Sequence, residues 1–206
     1  TDTVVVPLAS GEMDALCDMA RAAAEGAPLA VRRLAGFIET LRAYVVWLRA
    51  ESHVAITRAL RAIELLPPDD FSPLCHAEMT LANGFYMQTL DGLSIEAFGR
   101  AMELSRKAGM HHVRYLAASG LANLHLALGD LGKAKALCLA MIDEPGAERY
   151  PAIGDVYVIL SAVESEHDET LSSLEAARKG VELCRRWGQA DSLVSAQIAL
   201  AYSLAA

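Results

Sequence analysis

Leu121-Ala122-Asn123-Leu124-His125-Leu126-Ala127-Leu128-Gly129-Asp130-Leu131-Gly132-Lys133-Ala134-Lys135-Ala136-Leu137-Cys138-Leu139-Ala140-Met141 is the stretch that decides the fold. Two runs of helix-forming residues, each with apolar positions three and four apart, flank a Gly-Asp stop. The stretch reads as a helical hairpin. Ala122 in its first helix and Ala134 in its second are small where two antiparallel backbones must come close.

Those small residues recur along the chain. Ala43, Ala82, Ala122, Ser161 and Ala201 occupy one position of successive first helices, separated by 39, 40, 39 and 40 residues. In the second helices Ala55, Ser94, Ala134 and Ser173 mark one column, and Ala62, Ala101, Met141 and Gly180 a second column seven residues later. Glu64-Leu65, Glu103-Leu104 and Glu182-Leu183, each a few residues before a break, keep the same interval of about 40 residues or its double. A hairpin cannot bury its apolar face alone, so neighbours stack. The expected fold is all-α, a right-handed superhelix of antiparallel helix hairpins with one continuous core.

Turn signals at Gly26-Ala27-Pro28, Pro67-Pro68-Asp69-Asp70, Gly109, Gly129-Asp130, Pro145-Gly146 and Gly188 divide the chain. Helices are expected over 12–25, 29–50, 52–66, 71–89, 94–108, 111–128, 131–143, 150–166, 169–187 and 190–205. Residues 1–10, with Val4-Val5-Val6 running into Pro7, read as irregular, because one short apolar run builds no sheet. The whole of 1–206 then forms one repeat domain, with 11–28 ending a preceding repeat and 29–206 holding about four and a half repeats. An opening Thr1 in place of Met suits a piece of a longer protein.

Composition narrows the function. Hydrophobic residues make up 53% and charged residues 21%, enough apolar side chain for a large core. The net charge is -8 and Lys and Arg form no long run, which argues against a phosphate-tracking face. Arg32-Arg33 and Arg185-Arg186 read as polar sides of amphipathic helices. Cys17, Cys75, Cys138 and Cys184 lack C-x-x-C spacing and read as small buried hydrophobes. Neither a signal peptide nor an apolar run of membrane-spanning length is visible, so a cytoplasmic location is expected.

Leu121-Ala122-Asn123, Gly129-Asp130-Leu131, Ala134 and Met141, with Ala55, Ala62 and Pro67 of the first unit, resemble the tetratricopeptide (TPR) pattern. The units run longer than the common TPR and lack its usual first-helix Trp and Tyr. Arg58-Ala59-Leu60-Arg61-Ala62-Ile63-Glu64-Leu65-Leu66-Pro67-Pro68-Asp69-Asp70, Ala101-Met102-Glu103-Leu104-Ser105-Arg106-Lys107-Ala108-Gly109 and Gly180-Val181-Glu182-Leu183-Cys184-Arg185-Arg186-Trp187-Gly188 resemble repeat endings in the superhelical region of MalT-type LuxR-family bacterial regulators. The resemblance covers about residues 29–206. In that family an ATP-binding module precedes the superhelix, which senses and binds partners, and a DNA-binding helix-turn-helix follows it. Here no G-x-x-x-x-G-K-[ST] phosphate loop occurs, and no basic recognition helix is present.

A TPR-like stack turns its first helices to the concave groove. One position after each small-residue column stand Tyr44, Asn83, Asn123 and Ala162, and one turn further Trp47, Tyr86, Leu126 and Ser165. Aromatic anchors beside amides suit a peptide or a small organic ligand. The competing reading of Tyr44 and Trp47 is packing between hairpins. Asn83 and Asn123, at equivalent places, can hold a peptide backbone as paired amides. A carboxylate clamp would also need lysines where Met79, Met87, Ser119 and Ala127 stand.

Other polar clusters point to no chemistry. His111 and His112 diverge by about 100° on a helix and do not readily share a metal. His76, His125 and His167 stand singly, so no metal site is expected. Glu164, Glu166, His167, Asp168 and Glu169 read as a solvated hairpin tip, with Asp168 or Glu169 favouring the next helix dipole. No nucleophile-and-base set emerges, so the expectation is a non-catalytic domain without cofactor, metal, DNA or membrane contact.

The expected function is ligand sensing and protein interaction within a MalT-like LuxR-family transcriptional regulator, through effector or partner binding in the groove. The alternative is a stand-alone TPR adaptor that gathers protein or peptide partners. The end at Ala199–Ala206 reads as half a hairpin, a place for self-association.

Overall fold

A computed structural model describes residues 28–205. The expected irregular stretch 1–10, the expected helix 12–25 and Cys17 lie outside the described residues. Among the described residues nine α-helices follow one another without a strand. They are α1 (Leu29–Leu48), α2 (Ser52–Leu65), α3 (Phe71–Met87), α4 (Asp91–Ala108), α5 (His111–Ala127), α6 (Leu131–Ile142), α7 (Gly154–Glu166), α8 (Thr170–Trp187) and α9 (Ala190–Ala205). The helix expected from residue 150 starts at Gly154, because Pro151 opens a 3-10 turn, Pro151–Ile153, after another at Ala147–Arg149.

Helices α1/α2, α3/α4, α5/α6 and α7/α8 pair as hairpins, and α9 is a further first helix. Each helix packs on the next in the chain, and each first helix also touches the first helix of the following unit. This is a helical-repeat solenoid.

The small-residue columns sit where the hairpins close. Ala43, Ala82 and Ala122 are fully buried and Ser161 nearly so, as are Ala55, Ser94, Ala134 and Ser173 opposite them. Where the second-helix residue is serine, its hydroxyl donates to the carbonyl facing it: Ser94 to Ala82 and Ser173 to Ser161, both at 2.9 Å. Backbone contact this close leaves no room for a larger side chain. The second column, Ala62, Ala101, Met141 and Gly180, is likewise buried. Ala201 breaks the series, for it is exposed. Its position faces the second helix of its own hairpin, and none follows α9 among the described residues. Ser203, two residues on, turns inward to meet Ser161 and Ser173 at 3.2 and 2.8 Å.

One turn joins the two helices of every hairpin. Its key residue, seven after the first-helix column, is Ala50, Thr89, Gly129 or Asp168, and all four have φ between 54° and 79°. In each, the next residue's N–H reaches back five residues to a carbonyl: Glu51 to Val46, Leu90 to Phe85, Asp130 to His125 and Glu169 to Glu164. This closes the orphan carbonyls of the helix end. Glycine occupies that position in one hairpin of four.

Burial makes the three described cysteines inert. Cys75, Cys138 and Cys184 are fully buried, and desolvation pushes each thiol up to about 12.

Candidate functional site

The candidate site is the row of side chains one and four positions after the first-helix column. Helical geometry puts them beside the buried edge of each first helix, on one side of the stack. Tyr44 is 49% and Tyr86 40% exposed, while Trp47, Asn83, Asn123, Leu126, Ala162 and Ser165 are half-buried. On α1 the rings of Tyr44 and Trp47 stack with centroids 5.8 Å apart. The indole Nε1 of Trp47 is buried and has no hydrogen-bond partner.

The row is continuous across one junction between hairpins. Asn123 Nδ2 on α5 donates to Tyr86 Oη on α3 at 3.4 Å. Asn83 behaves differently, since its Nδ2 turns back to the Met79 carbonyl one turn earlier, at 2.9 Å. The two amides therefore do not act as a matched pair; Asn123 alone reaches across to the preceding first helix. No charged side chain occupies these eight positions, so the row offers aromatic faces, hydroxyls and amides to a ligand.

Charge is placed elsewhere, in ion pairs that hold the two helices of a hairpin to each other. Glu39 and Glu78, four positions before the column and 39 residues apart, are both nearly buried. Glu39 accepts from Arg42 at 3.0 Å and Arg58 at 3.1 Å, and Glu78 from Arg100 at 2.8 Å. Buried carboxylates persist when paired in this way. Sequence reasoning passed over them, although their spacing is that of the repeat.

The acidic tip is less solvated than the sequence implied. Glu164 is 3% exposed. Lys135 Nζ on α6 bridges Glu164 at 3.1 Å and Glu169 at 3.3 Å. Burial, followed by the hydrogen bond to Glu169, raises the Glu164 carboxyl, whereas that same bond and Lys135 lower Glu169. Glu164, His167 and Glu169 bring ligand atoms within 4.8 Å of one another, a grouping that was not expected of His167. The Lys135 ammonium bridges both carboxylates, so the cluster works as a clasp between α6 and the α7/α8 turn.

Two further groups sit at the starts of first helices. Asp155 on α7 accepts from Ser192 Oγ on α9 at 3.0 Å and from Cys184 Sγ at 3.8 Å, and burial raises its carboxyl despite both bonds. His112 on α5 is lowered by burial and then by the charges of His76 and His111. Below the loop before α7, Glu144 pairs with Arg114 and accepts from Tyr115 Oη at 3.4 Å, and Tyr150 stacks on His111 at 4.5 Å. An open depression of about 370 Å³ lies between the starts of α1 and α3, lined by Ala30, Arg33, Leu34, Phe37, Asp70 and Pro73. It is about 20 Å along α3 from Tyr86, at 1.5 Å per residue. No helix among the described residues is long and apolar enough to cross a membrane.

Comparison with known proteins follows the same lines. Among solved structures the chain is similar to the apo form of RapI, with a TM-score of 0.67 and 14% identity over 84% of this chain and 63% of that one. It thus spans less than two thirds of the RapI chain, and at this identity the likeness speaks for the fold alone. No curated protein matches the sequence. The family model described as the MalT-like TPR region matches residues 36–206. With helices, hairpin columns and this match covering most of its length, the chain belongs to the MalT-like TPR family.

Proposed function

We propose that this helical-repeat domain is a ligand-sensing and protein-interaction segment of a MalT-like LuxR-family transcriptional regulator, acting without catalysis. The observation that carries the reading is the Asn123–Tyr86 contact, which joins the site row of two successive hairpins. Among the junctions between first helices, α3 and α5 meet most lightly. A ligand held between Tyr86 and Asn123 touches both sides of that seam. If it prefers one spacing of α3 and α5, its differential affinity biases the curvature of the stack, and flanking modules or partners respond to that shift. The row carries no charge, so the ligand face it accepts is aromatic or amide-bearing and uncharged.

The test is a thermal-shift screen of the purified chain against small metabolites and short peptides, with each hit repeated on Tyr86→Ala, Asn123→Ala and Trp47→Ala. A metabolite whose stabilisation disappears in Tyr86→Ala and Asn123→Ala supports the sensor. A peptide hit with silence from metabolites favours the adaptor reading. Hits that survive all three substitutions place binding elsewhere and refute the site.

A further inference from the structure

Three metal-binding side chains converge at the α7/α8 turn. One ligand atom each from Glu164, His167 and Glu169 lies within 4.8 Å of the other two, a convergence found nowhere else among the described residues. The turn itself brings them there. Asp168 takes φ 59°, and the N–H of Glu169 returns to the Glu164 carbonyl at 3.0 Å, so residues before and after the reversal share one side. The α5/α6 turn repeats this geometry with other residues. There His125 and Asp130 hold the places of Glu164 and Glu169, and they too meet, Nδ1 to Oδ2 at 3.6 Å. What differs is the third place, where Leu128 stands in the position of His167. The remaining two turns have Val46 and Phe85 in the first place and form no such pair.

We propose that Glu164, His167 and Glu169 bind a zinc-like divalent cation at this turn, with water completing its coordination. Two carboxylates and one imidazole are the mixed oxygen and nitrogen set that suits Zn²⁺, whereas Mg²⁺ and Ca²⁺ take oxygen ligands. The imidazole separates this group from an acidic cluster that merely gathers counter-ions. Glu164 is 3% exposed and held by packing, while His167 and Glu169 are exposed, which gives one preset ligand and an open approach. Charge favours a dication as well. One ammonium, Lys135 Nζ, faces two carboxylates at 3.1 and 3.3 Å and leaves one negative charge of the pair over, with Glu166 and Asp168 exposed on the same turn. A dication matches both carboxylates and repels the ammonium. Zinc and Lys135 therefore compete: zinc closes the turn on itself, where Lys135 ties it to α6. The site lies at a hairpin tip, and its occupant is independent of the function proposed above.

The test is calorimetric titration of ZnCl2 into the full chain, its variants checked for folding by circular dichroism. His167→Ala and Glu169→Gln, both at exposed positions, should each weaken one zinc site at least about tenfold, the smallest loss that removing even a ligand's supporting hydrogen bond brings. Zinc taken up at other histidines is untouched by these changes. Lys135→Met removes the competing charge and should tighten the same site at least about threefold. That gain is a signature that loose attraction to surface acids does not give. MgCl2 should neither bind at comparable strength nor displace the zinc. A parent chain that binds no zinc overturns the proposal, and so does an affinity unchanged in His167→Ala and Glu169→Gln. Zinc binding that is unchanged or weaker in folded Lys135→Met, or magnesium binding as strong as zinc, overturns it too.

Discussion

Thr89→Gly should stabilise the domain. Thr89 sits at the α3/α4 turn with φ 54°, a left-handed conformation in which a β-branched side chain crowds its own backbone. That conformation costs an ordinary L-residue about 1–2 kcal/mol, and glycine nothing comparable. Two terms offset the gain. Glycine has more freedom to lose on folding, about 0.5–1 kcal/mol, and the bond from Thr89 Oγ1 to the Gln88 carbonyl at 2.7 Å disappears. That bond is exposed and adds little. The backbone bonds of the turn, Thr89 N–H to Tyr86 and Leu90 N–H to Phe85, need no side chain and survive. The net expectation is a gain of about 0.5–1 kcal/mol, or roughly 1–4 °C in Tm for a chain of this size. Gly129→Thr makes the reverse change at φ 79° and should cost about 1 kcal/mol or more. Thermal and urea denaturation monitored by circular dichroism measure both. Loss of stability in Thr89→Gly, together with no loss in Gly129→Thr, would refute the shared turn.

Ala82→Leu and Ala122→Leu should each overpack a closed hairpin and cost about 1–3 kcal/mol, read as a lower urea midpoint; unchanged midpoints in both would count against the column register. Asp155→Asn should stabilise at neutral pH. The raised Asp155 carboxyl contributes stability below the ordinary aspartate range and loses it as pH climbs through its folded-state pKa. Asparagine keeps an acceptor for Ser192 and carries no charge, so Tm curves of variant and parent should converge at low pH and separate as pH rises. Parallel curves would show that Asp155 is not desolvated as the geometry requires.

The fold was readable in the sequence because the repeat writes the same tertiary constraint several times. A single Ala in a helix is uninformative; Ala43, Ala82 and Ala122 at one interval, opposite Ala55, Ser94 and Ala134, mark where backbones touch. Helix limits followed to within a few residues, since periodicity and Gly or Pro stops are local signals. The turns were less legible. Gly129 announced one, but Ala50, Thr89 and Asp168 adopt the same left-handed conformation without the residue that usually signals it. What holds them there is the packing of the helices on either side. The register of α9 was right, yet Ala201 is exposed, because burial depends on a neighbouring helix as well as on a position in the repeat.

The candidate residues could be placed in a row from the sequence, whereas what each side chain does there could not, for a related reason. Position in the repeat decides which side of a helix a residue faces, and so Asn83 and Asn123 were expected to act alike. What each amide does depends on the distance to the next first helix, which nothing in the local sequence encodes. Asn123 finds Tyr86 across the α3/α5 seam, while Asn83 bonds within its own helix. Phe98 sharpens the contrast at that seam. This buried ring packs against Gly120 of α5, where an added Cβ would lie 2.6 Å from it. A large side chain fills the gap that a missing one leaves, and the spacing of the two hairpins follows from that exchange of volume. The same reasoning explains the buried acids. Glu39, Glu78 and Glu164 look like surface charge in sequence, and become clasps because Arg58, Arg100 and Lys135 on packed helices reach them. Repetition in sequence thus carries the shape of the stack, whereas the chemistry on its faces arises where one repeat departs from the next.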